Sequence, residues 1–238
     1  MQPQPQGRAP AGGRRTAVVR EVMHPHPMAV VLRLEVPDRV DHLPGQHYVV
    51  RLTAPDGYVA QRSYSIVSAP DDTLLELFVE RLDEGEVSSF LADVVEPGDE
   101  LQIQGPIGGW FVWTGDTPAL CIGGGTGVAP FVAMLRHARH IDRLELLRMV
   151  VSARTRAMLP YADEFLAAGA TLALSREPAP DGRPASRLSA QDVQPLLRPD
   201  AVAYVCGSAG FAESASALLV DLGVPAPTIR VERFGPSG

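Results

Sequence analysis

The sequence predicts a two-domain β + α/β protein, in which a six-stranded antiparallel Greek-key barrel precedes a doubly wound parallel α/β domain. The length of 238 residues suits two small domains, at roughly 150 residues per domain. The first half carries alternating or β-branched segments between Pro, Gly and Asp turns, which is typical of short antiparallel strands. From about Thr117 onward, short apolar runs alternate with helix-like segments, which is typical of buried parallel strands.

The barrel is predicted from six strand segments and one helix. Alternation of apolar and polar residues places one face of a strand in a core and the other in solvent. A short helix is expected at 87–94, and short antiparallel strands with a single helix favour a small Greek-key barrel. The predicted strands are residues 17–23, 29–36, 46–52, 59–68, 73–82 and 100–106.

The second domain is predicted from four apolar strands separated by helices, which is the signature of a doubly wound layer. The predicted strands are residues 119–125, 146–152, 171–175 and 201–207, and the predicted helices are 130–140, 160–166, 190–197 and 210–221. Residues 1–15 are rich in Pro, Gln, Gly and Arg, so we expect them to be disordered. The barrel domain is then expected to span 16–114, and the α/β domain 115–238.

The composition excludes several classes of protein. A formal net charge of −7 argues against a general nucleic-acid binder, which is usually basic. No apolar run reaches the ~18 residues of a membrane span, and no secretory signal is recognised at the start. All 21 residues of the Lys and Arg class are Arg, so lysine-dependent chemistry is excluded. Cys121 and Cys206 form no C-x-x-C pair, so we expect no metal site and a reducing, cytoplasmic location.

The strongest local motif is C-I-G-G-G-T-G-V-A-P at 121–130, with four glycines in five positions between a strand and a helix. Glycines let a backbone approach a pyrophosphate, and a helix N-terminus supplies N–H donors and partial positive charge. The alternative is a tight turn that binds nothing, which is the weaker interpretation here. Taken alone, the motif indicates a ligand that bears phosphate.

Two later segments also end strands of this domain. Y-V-C-G-S-A-G-F at 204–211 would bring Cys206 to the crevice at the carboxyl ends of the strands. Taken alone, Cys206 is better interpreted as a small buried hydrophobe. Glu232 and Phe234 would share one face of a last strand; the alternative is an edge strand with a solvated carboxylate.

The barrel carries its own candidate site in the segment Q-R-S-Y-S-I-V-S-A-P. Arg62 suits a phosphate and Tyr64, on the same strand face, suits stacking on a flat ring. Ser65 suits a hydrogen bond to a heteroatom of that ring. A surface arginine on an exposed strand explains this segment equally well. Downstream, Ser88 and Ser89 stand at a predicted helix N-terminus, which is a second candidate anion site.

Together these motifs resemble the ferredoxin–NADP reductase superfamily of flavin reductases. They occur in the order of that family and near its spacing from about Thr16 to Phe234, so the resemblance covers nearly the whole chain. The end of the sequence is more similar to bacterial oxygenase reductases and flavohaemoglobins than to plant-type members, which end on an aromatic residue. The matching segments are R-S-Y-S (62–65), G-E-V-S (85–88), G-P-I-G-G-W-F (105–111), G-G-G-T-G-V-A-P (123–130), C-G (206–207) and E-R-F (232–234).

The resemblance implies FAD as the cofactor of the barrel. It places Arg62 at a flavin phosphate, Tyr64 against the isoalloxazine ring and Ser65 near flavin N5. FMN stays an alternative, because R-x-Y-S serves both flavins. The implied flavin-binding residues are Arg62, Ser63, Tyr64, Ser65, Gly85, Val87 and Ser88, with Phe234 covering the other face of the ring.

The resemblance also implies a nicotinamide dinucleotide in the second domain, with Thr126 near the nicotinamide and Cys206 beside the hydride path. The candidate catalytic residues are Ser65, Cys206, Glu232 and Phe234. The implied dinucleotide-binding residues are Gly123, Gly124, Gly125, Thr126, Gly127, Pro130, Ser152, Arg154, Ser175, Arg176, Cys206 and Gly207.

The preferred nicotinamide is predicted from the ends of two strands. An NAD site usually carries an acidic residue after the second strand of such a domain, whereas this one offers Ser152 and Arg154. The next strand ends in Ser175 and Arg176, and in plant-type relatives a Ser-Arg-Glu in this place binds the 2′-phosphate. Arg156, Arg183 and Arg187 lie nearby in the sequence. The sequence favours NADP(H), with NAD(H) left open.

The resemblance implies a reductase that transfers a hydride from NAD(P)H to FAD N5 and then passes electrons on. No iron–sulfur, globin or haem segment is recognised, so we expect a separate acceptor, such as a ferredoxin or an oxygenase component. We also expect the chain to be a monomer. Two alternatives stay open. One is a flavin or ferric reductase with a small diffusible acceptor, and the other is a non-catalytic flavin subunit of an electron-transfer complex.

Overall fold

The computed structural model describes residues 13–26 and 28–234. The chain forms two compact units that divide between Gly108 and Gly109. Most of the segment predicted to be disordered, residues 1–12, lies outside the described residues, and the first strand already begins at Arg14. Within the described ranges, no helix is long and apolar enough to cross a membrane.

The first unit is an antiparallel barrel with one helix. Its elements are β1 (Arg14–His26), β2 (Ala29–Glu35), β3 (His47–Thr53), β4 (Val59–Ser65), β5 (Leu75–Glu80), α1 (Glu86–Asp93) and β6 (Glu100–Ile107). The six strands lie in the order β4-β3-β6-β1-β2-β5. An antiparallel bridge between Ile66 and Leu77 joins the two edges of this sheet. The sheet therefore closes on itself, and the predicted six-stranded barrel is confirmed.

The barrel core explains why α1 sits where it does. Leu32, Leu34 and Leu77 are fully buried in the strands, as the alternation of the sequence predicts. α1 adds Val87 and Leu91 to the same apolar cluster, and these two side chains lie one turn apart on one face of the helix. Because this apolar stripe anchors α1 against β4 and β5, the first turn of the helix is held in a defined place.

The second unit is a parallel α/β layer. Its strands are β7 (Ala119–Gly124), β8 (Leu147–Ala153), β9 (Thr171–Leu174), β10 (Val202–Ser208) and β11 (Ile229–Phe234), and its helices are α2 (Ala129–His140), α3 (Ala162–Ala167), α4 (Ala190–Val193) and α5 (Ala209–Asp221). The strands are parallel and lie in the order β11-β10-β7-β8-β9. This order confirms the predicted doubly wound domain.

Several predicted elements are longer than the structure makes them; the strand predicted at 73–82, for example, spans only Leu75–Glu80. The strand predicted at 59–68 ends at Ser65, because beyond it only the single bridge at Ile66 continues the pairing. The helix predicted at 190–197 ends as an α-helix at Val193. Pro195 follows within a 3₁₀ turn, and its missing N–H cannot continue the α-helical hydrogen bonds.

The segment 109–114, which we predicted to close the first domain, packs within the second unit. Phe111 is almost fully buried, and its ring contacts Phe131 and Tyr204 with centroid separations of 5.8 and 5.3 Å. The Tyr204 hydroxyl and the Arg230 guanidinium each donate to the Val112 carbonyl at 2.9 Å. The change of sequence pattern near Thr117 marks the first parallel strand, whereas the packing of the unit begins several residues earlier.

Candidate functional site

β4 carries Arg62 and Tyr64 with very different exposure. Arg62 is exposed, and among the described residues its guanidinium donates only to the Gln61 carbonyl, at 2.8 Å. Tyr64 is 8% exposed and packs in the barrel core. Its buried hydroxyl has no hydrogen-bond partner within the described ranges, and burial raises the pKa of this phenol. Arg62 can therefore take an anion, while Tyr64 offers an unpaired hydroxyl more readily than an open ring face.

The serines of the same motif alternate with these residues. Ser63 is exposed, whereas Ser65 is buried and pairs with His47 across the sheet. A stack of Tyr64 on a flavin ring and a contact of Ser65 with flavin N5 stay predictions, since burial of both side chains leaves little of either surface open.

The first turn of α1 uses its serine hydroxyls for folding. The Ser88 hydroxyl accepts from the Leu82 N–H and donates to the Gly85 carbonyl, both at 3.2 Å. The Ser89 hydroxyl donates to the Leu82 carbonyl at 3.0 Å. A Cβ on Gly85 would lie 2.2 Å from Ser88 Oγ, so a larger residue there would displace the Ser88 hydroxyl from its hydrogen bonds. The groups left to bind an anion are the backbone N–H donors of the first helical turn, which have no intrahelical acceptor.

The glycine-rich loop after β7 is shaped by contacts with its own protein. A Cβ on Gly127 would lie 2.5 Å from Gly207 Cα, and one on Gly124 would lie 2.6 Å from the Phe211 ring. A Cβ on Gly123 would lie 2.8 Å from Val128. These close approaches account for three of the four glycines without any ligand, so the tight-turn interpretation explains more of the motif than the sequence suggested.

Gly125 is the glycine that packing does not explain. Its φ is +57°, which L side chains rarely adopt, and nothing lies within 4 Å of a Cβ built there. The chain turns there from β7 into a 3₁₀ turn, and α2 follows with Pro130 near its start. An exposed backbone at the carboxyl end of a parallel strand, followed by a helix, is the arrangement that holds dinucleotide phosphates.

Cys206 and Glu232 are brought together by the pairing of β10 with β11. Their backbones lie opposite each other in the register, and Cys206 also pairs with Gly123 of β7. Cys206 is fully buried; its burial, and next the negative charge of Glu232, hold the pKa of its thiol well above the ordinary value. Burial also raises the pKa of Glu232 to about 7. Phe234 ends β11, is half-buried, and shares a strand face with Glu232.

Four of the five arginines that lie near the predicted 2′-phosphate site divide into two groups, and the fifth, Arg187, is exposed. Arg154 and Arg176 are exposed, and the Arg176 N–H donates to the Arg154 carbonyl at 2.9 Å, which holds the two strand ends side by side. Arg183, by contrast, pairs with Asp192 at 2.8 Å, and Arg156 pairs with Asp163. Only the first group keeps its guanidinium groups without a carboxylate partner among the described residues.

The serines beside these arginines are also accounted for. The Ser152 hydroxyl donates to the Ala173 carbonyl at 3.0 Å and so links β8 to β9. The Ser175 N–H donates to the Ala153 carbonyl at 3.0 Å, which leaves its hydroxyl at the carboxyl end of β9. The four residues predicted to bind the nucleotide, Ser152, Arg154, Ser175 and Arg176, therefore lie at the carboxyl ends of the parallel strands, where ligands of such folds bind.

Sequence reasoning missed one exposed aromatic residue next to the barrel site. Tyr58 precedes β4 and is 57% exposed. Its hydroxyl donates to Glu86 Oε2 at 3.1 Å, so the ring is tied to the first residue of α1. The alternation that placed Arg62 and Tyr64 on one face also includes Tyr58, and that spacing was the available signal.

Both sites suit the groups that the motifs imply. In the first unit, an exposed guanidinium, an unpaired buried hydroxyl and a helix N-terminus lie on β4 or beside it, which suits the phosphates and polar chain of a flavin nucleotide. In the second unit, the open backbone at Gly125 and the exposed Arg154 and Arg176 lie at the carboxyl ends of parallel strands, which suits a dinucleotide with an additional phosphate.

Comparison with known proteins assigns the two units to two domain families. Residues 18–112 match the oxidoreductase FAD-binding domain, and residues 121–217 match the oxidoreductase NAD-binding domain. The chain is 30% identical over 247 residues to a flavohemoprotein of Rhizobium meliloti, covering 94% of this chain and 61% of that protein. It therefore spans less than two thirds of the length of that relative.

Two further relatives are described as reductases. A reductase component from Ralstonia, described as ferredoxin–NAD(P)+ reductase of naphthalene 1,2-dioxygenase/salicylate 5-hydroxylase systems, is 28% identical over 219 residues, covering 87% of this chain and 65% of that protein. The crystal structure of a cytochrome P450 reductase from Amycolatopsis superposes with a TM-score of 0.78 at 26% identity, covering 95% of this chain and 71% of that one. The resemblance drawn from the motifs is confirmed: the chain belongs to the ferredoxin–NADP reductase superfamily, as an oxidoreductase with an FAD-binding and an NAD-binding domain.

Proposed function

We propose that this chain is an FAD-dependent NAD(P)H reductase that passes electrons to a separate acceptor. The observation that carries the proposal is the union of an FAD-binding and an NAD-binding domain in one chain. When bound, FAD supplies the chemistry, because its N5 accepts a hydride from the nicotinamide and the electrons then leave for the acceptor. The protein needs no acid or base for that transfer, so its task is to align the two rings.

The first unit supplies the flavin contacts in this proposal. Arg62 neutralises a phosphate, and the N–H groups at the start of α1 bind the pyrophosphate, with Gly85 and Ser88 shaping that turn and Val87 anchoring it in the core. The unpaired Tyr64 hydroxyl donates to the polar part of the flavin. Ser63 and Ser65 flank this contact on the other face of β4.

The second unit holds the nicotinamide dinucleotide and surrounds its reactive end. Gly125 and Thr126 approach the phosphates and the nicotinamide, with the turn fixed by the close packing of Gly127 on Gly207. Cys206 is buried and its thiol is held in the neutral form, so it lines the hydride path without carrying charge. Glu232 is close to half protonated near pH 7, and Phe234 covers a flavin face.

The proposal is tested with the purified chain reconstituted with FAD. We expect a yellow protein whose absorbance near 450 nm is bleached rapidly by NADPH in the absence of oxygen, and more slowly by NADH at equal concentration. Stopped-flow absorbance gives the rate of flavin reduction and the dissociation constant of each nucleotide. A chain that retains no flavin, or a bound flavin that neither nucleotide reduces, would overturn the proposal.

The preference for NADPH is tested by Arg176→Ala. Because a charge-assisted hydrogen bond to a phosphate is among the stronger protein contacts, we expect NADPH affinity to fall about 10- to 100-fold, with NADH affinity unchanged. Arg143→Ala is the matched control, since Arg143 is exposed and precedes β8 at the opposite end of the strands. Equal loss for both nucleotides would contradict recognition of the 2′-phosphate.

The acceptor is proposed to be a ferredoxin or an oxygenase component. Two of the relatives, a ferredoxin–NAD(P)+ reductase component from Ralstonia and a cytochrome P450 reductase from Amycolatopsis, support this class of acceptor. Turnover with a ferredoxin should exceed turnover with free FMN or ferric citrate at equal concentration. The reverse order would favour a flavin or ferric reductase, and flavin reduction with no turnover of any single acceptor would favour a subunit of a larger complex.

A further inference from the structure

We propose that Tyr58 is the platform on which the adenine ring of FAD stacks, and that Glu86 positions it. The inference rests on FAD binding as proposed above and names a contact that distinguishes FAD from FMN. Tyr58 is a large aromatic residue with 57% of its surface exposed, and it lies between the turn of the β3–β4 hairpin and the first residue of β4. Flat side chains with an open face bind nucleobases by stacking.

The backbone of Tyr58 is fixed on both sides. Its carbonyl accepts from the Ala54 N–H at 2.8 Å, which extends the pairing of β3 with β4 by one step. Its N–H donates to Asp56 Oδ1 at 3.0 Å, which closes the turn. The exposed ring therefore projects from an ordered backbone, and stacking a base on it costs little additional order.

The ring is tied at its far end as well. The Tyr58 hydroxyl donates to Glu86 Oε2 at 3.1 Å. This hydrogen bond, and next the negative charge of Glu86, raise the pKa of the phenol. Glu86 is the first residue of α1. Because the start of α1 is where a pyrophosphate would bind, the bond holds the tyrosine ring beside the phosphates of the dinucleotide.

The order of groups along β4 matches the order of groups in FAD. Tyr58, Arg62 and Tyr64 are separated by even numbers of residues, so their side chains share one strand face. At about 3.3 Å per residue, Tyr58 lies roughly 13 Å from Arg62, and Tyr64 lies roughly 7 Å beyond it. A ring, a cation and the unpaired hydroxyl of a second ring thus meet adenine, pyrophosphate and flavin in turn. FMN ends at its phosphate and would not reach Tyr58.

The test compares the affinity of the apoprotein for FAD and for FMN, followed by flavin fluorescence. We expect Tyr58→Ala to weaken FAD binding roughly 5- to 100-fold, the range for one base–aromatic stack, and to leave FMN binding unchanged. Tyr58→Phe keeps the ring and loses the bond to Glu86, so the loss should be smaller. ADP, which carries the adenine and pyrophosphate alone, should compete with FAD for the wild-type chain and compete less well for Tyr58→Ala.

The matched control is Phe90→Ala, which removes another exposed aromatic residue from α1 away from its first turn and should leave both affinities unchanged. If Tyr58→Ala weakens FAD and FMN by the same factor, the residue only ties the hairpin to α1, and the inference is wrong. An unchanged FAD affinity would also overturn it. A wild-type chain that binds neither flavin would instead contradict the proposed function itself.

Discussion

At the scale of single residues, Glu232 is the clearest case of a group whose behaviour depends on its neighbours. Its carboxyl is held by the β10–β11 pairing opposite Cys206, and burial raises its pKa from 4.5 to about 7. The folded chain therefore binds a proton between pH 4.5 and 7 that the unfolded chain has already released. The stability that this proton contributes is present below pH 4.5 and is lost as the pH rises through 7.

Glu232→Gln should remove this dependence on pH. At pH 4, below the ordinary pKa of 4.5, the Glu232 carboxyl is protonated in the folded chain and mostly protonated in the unfolded chain, so the variant and the wild type should be similarly stable. At pH 9 the wild type must hold a partly buried carboxylate, so we expect the variant to be more stable by about 2 kcal/mol, a figure reduced to allow for partial exposure. Urea unfolding at both pH values measures the difference.

Glu213→Gln is the control for this prediction, because the substitution removes a carboxylate of the same type from an exposed position on α5. Its difference from the wild type should be the same at both pH values. If the stability difference for Glu232→Gln is also the same at both pH values, the carboxyl of Glu232 is not desolvated in the folded chain and the prediction is wrong.

At the scale of elements, the glycine-rich loop is built by the contact of two backbones. Gly127 approaches Gly207 so closely that a Cβ would lie 2.5 Å from one backbone atom and 2.6 Å from the next. Backbone atoms cannot turn aside as a flexible side chain can, so Gly127→Ala must displace the loop from β10. We expect a loss of about 1–3 kcal/mol in the free energy of unfolding, and weaker NADP+ binding as the loop moves.

Gly210→Ala provides the comparison, since nothing lies within 4 Å of a Cβ built at Gly210 and the residue belongs to α5. Alanine there should leave stability unchanged or raise it by about 0.4–1 kcal/mol. Chemical unfolding and a titration with NADP+ report both quantities. A Gly127→Ala variant as stable as this comparison would mean that the loop can shift at no cost.

At the scale of the whole molecule, the two cysteines offer a direct measure of unfolding. Cys121 and Cys206 are both free and buried, on the neighbouring strands β7 and β10, and burial raises the pKa of both thiols. Because the thiolate is the reactive form, a thiol reagent should modify neither in the native chain and both in denaturant. NADP+ should slow the reaction, since a ligand of the folded state lowers the unfolded population. Rapid modification of a native thiol would show that one of the two cysteines is accessible in the folded chain.

Much of the candidate site could be predicted because its motifs are local. The turn from β7 into the 3₁₀ segment depends on residues that follow each other, so four glycines between a strand and a helix were enough to find it. The strand face on which Arg62 lies follows from the alternation of side chains along β4, since every second residue points to the same side. The class of fold of each unit followed from the resemblance and from the change of pattern between the halves, and the structure confirms it.

The remaining assignments depended on residues far apart in the sequence. Arg183 and Arg176 are the same residue type a few positions apart, yet only the guanidinium of Arg183 pairs with Asp192. The Ser88 hydroxyl was predicted to face an anion, but the Leu82 backbone engages it. Such partners are chosen by packing and by the need of buried polar groups for hydrogen bonds, and neither is visible in a short stretch of sequence.

The sequence by itself determined the class of fold, the presence of two nucleotide sites and the family, because hydrophobic periodicity and turn chemistry are local properties of the chain. Only the tertiary structure decided which groups at those sites are still open. It buried Tyr64 and left its hydroxyl unpaired, pressed Gly127 against Gly207, and left Tyr58 exposed beside α1. The physical reason is that a side chain is available to a ligand only where the rest of the folded protein has not already taken its hydrogen-bonding groups or covered its surface.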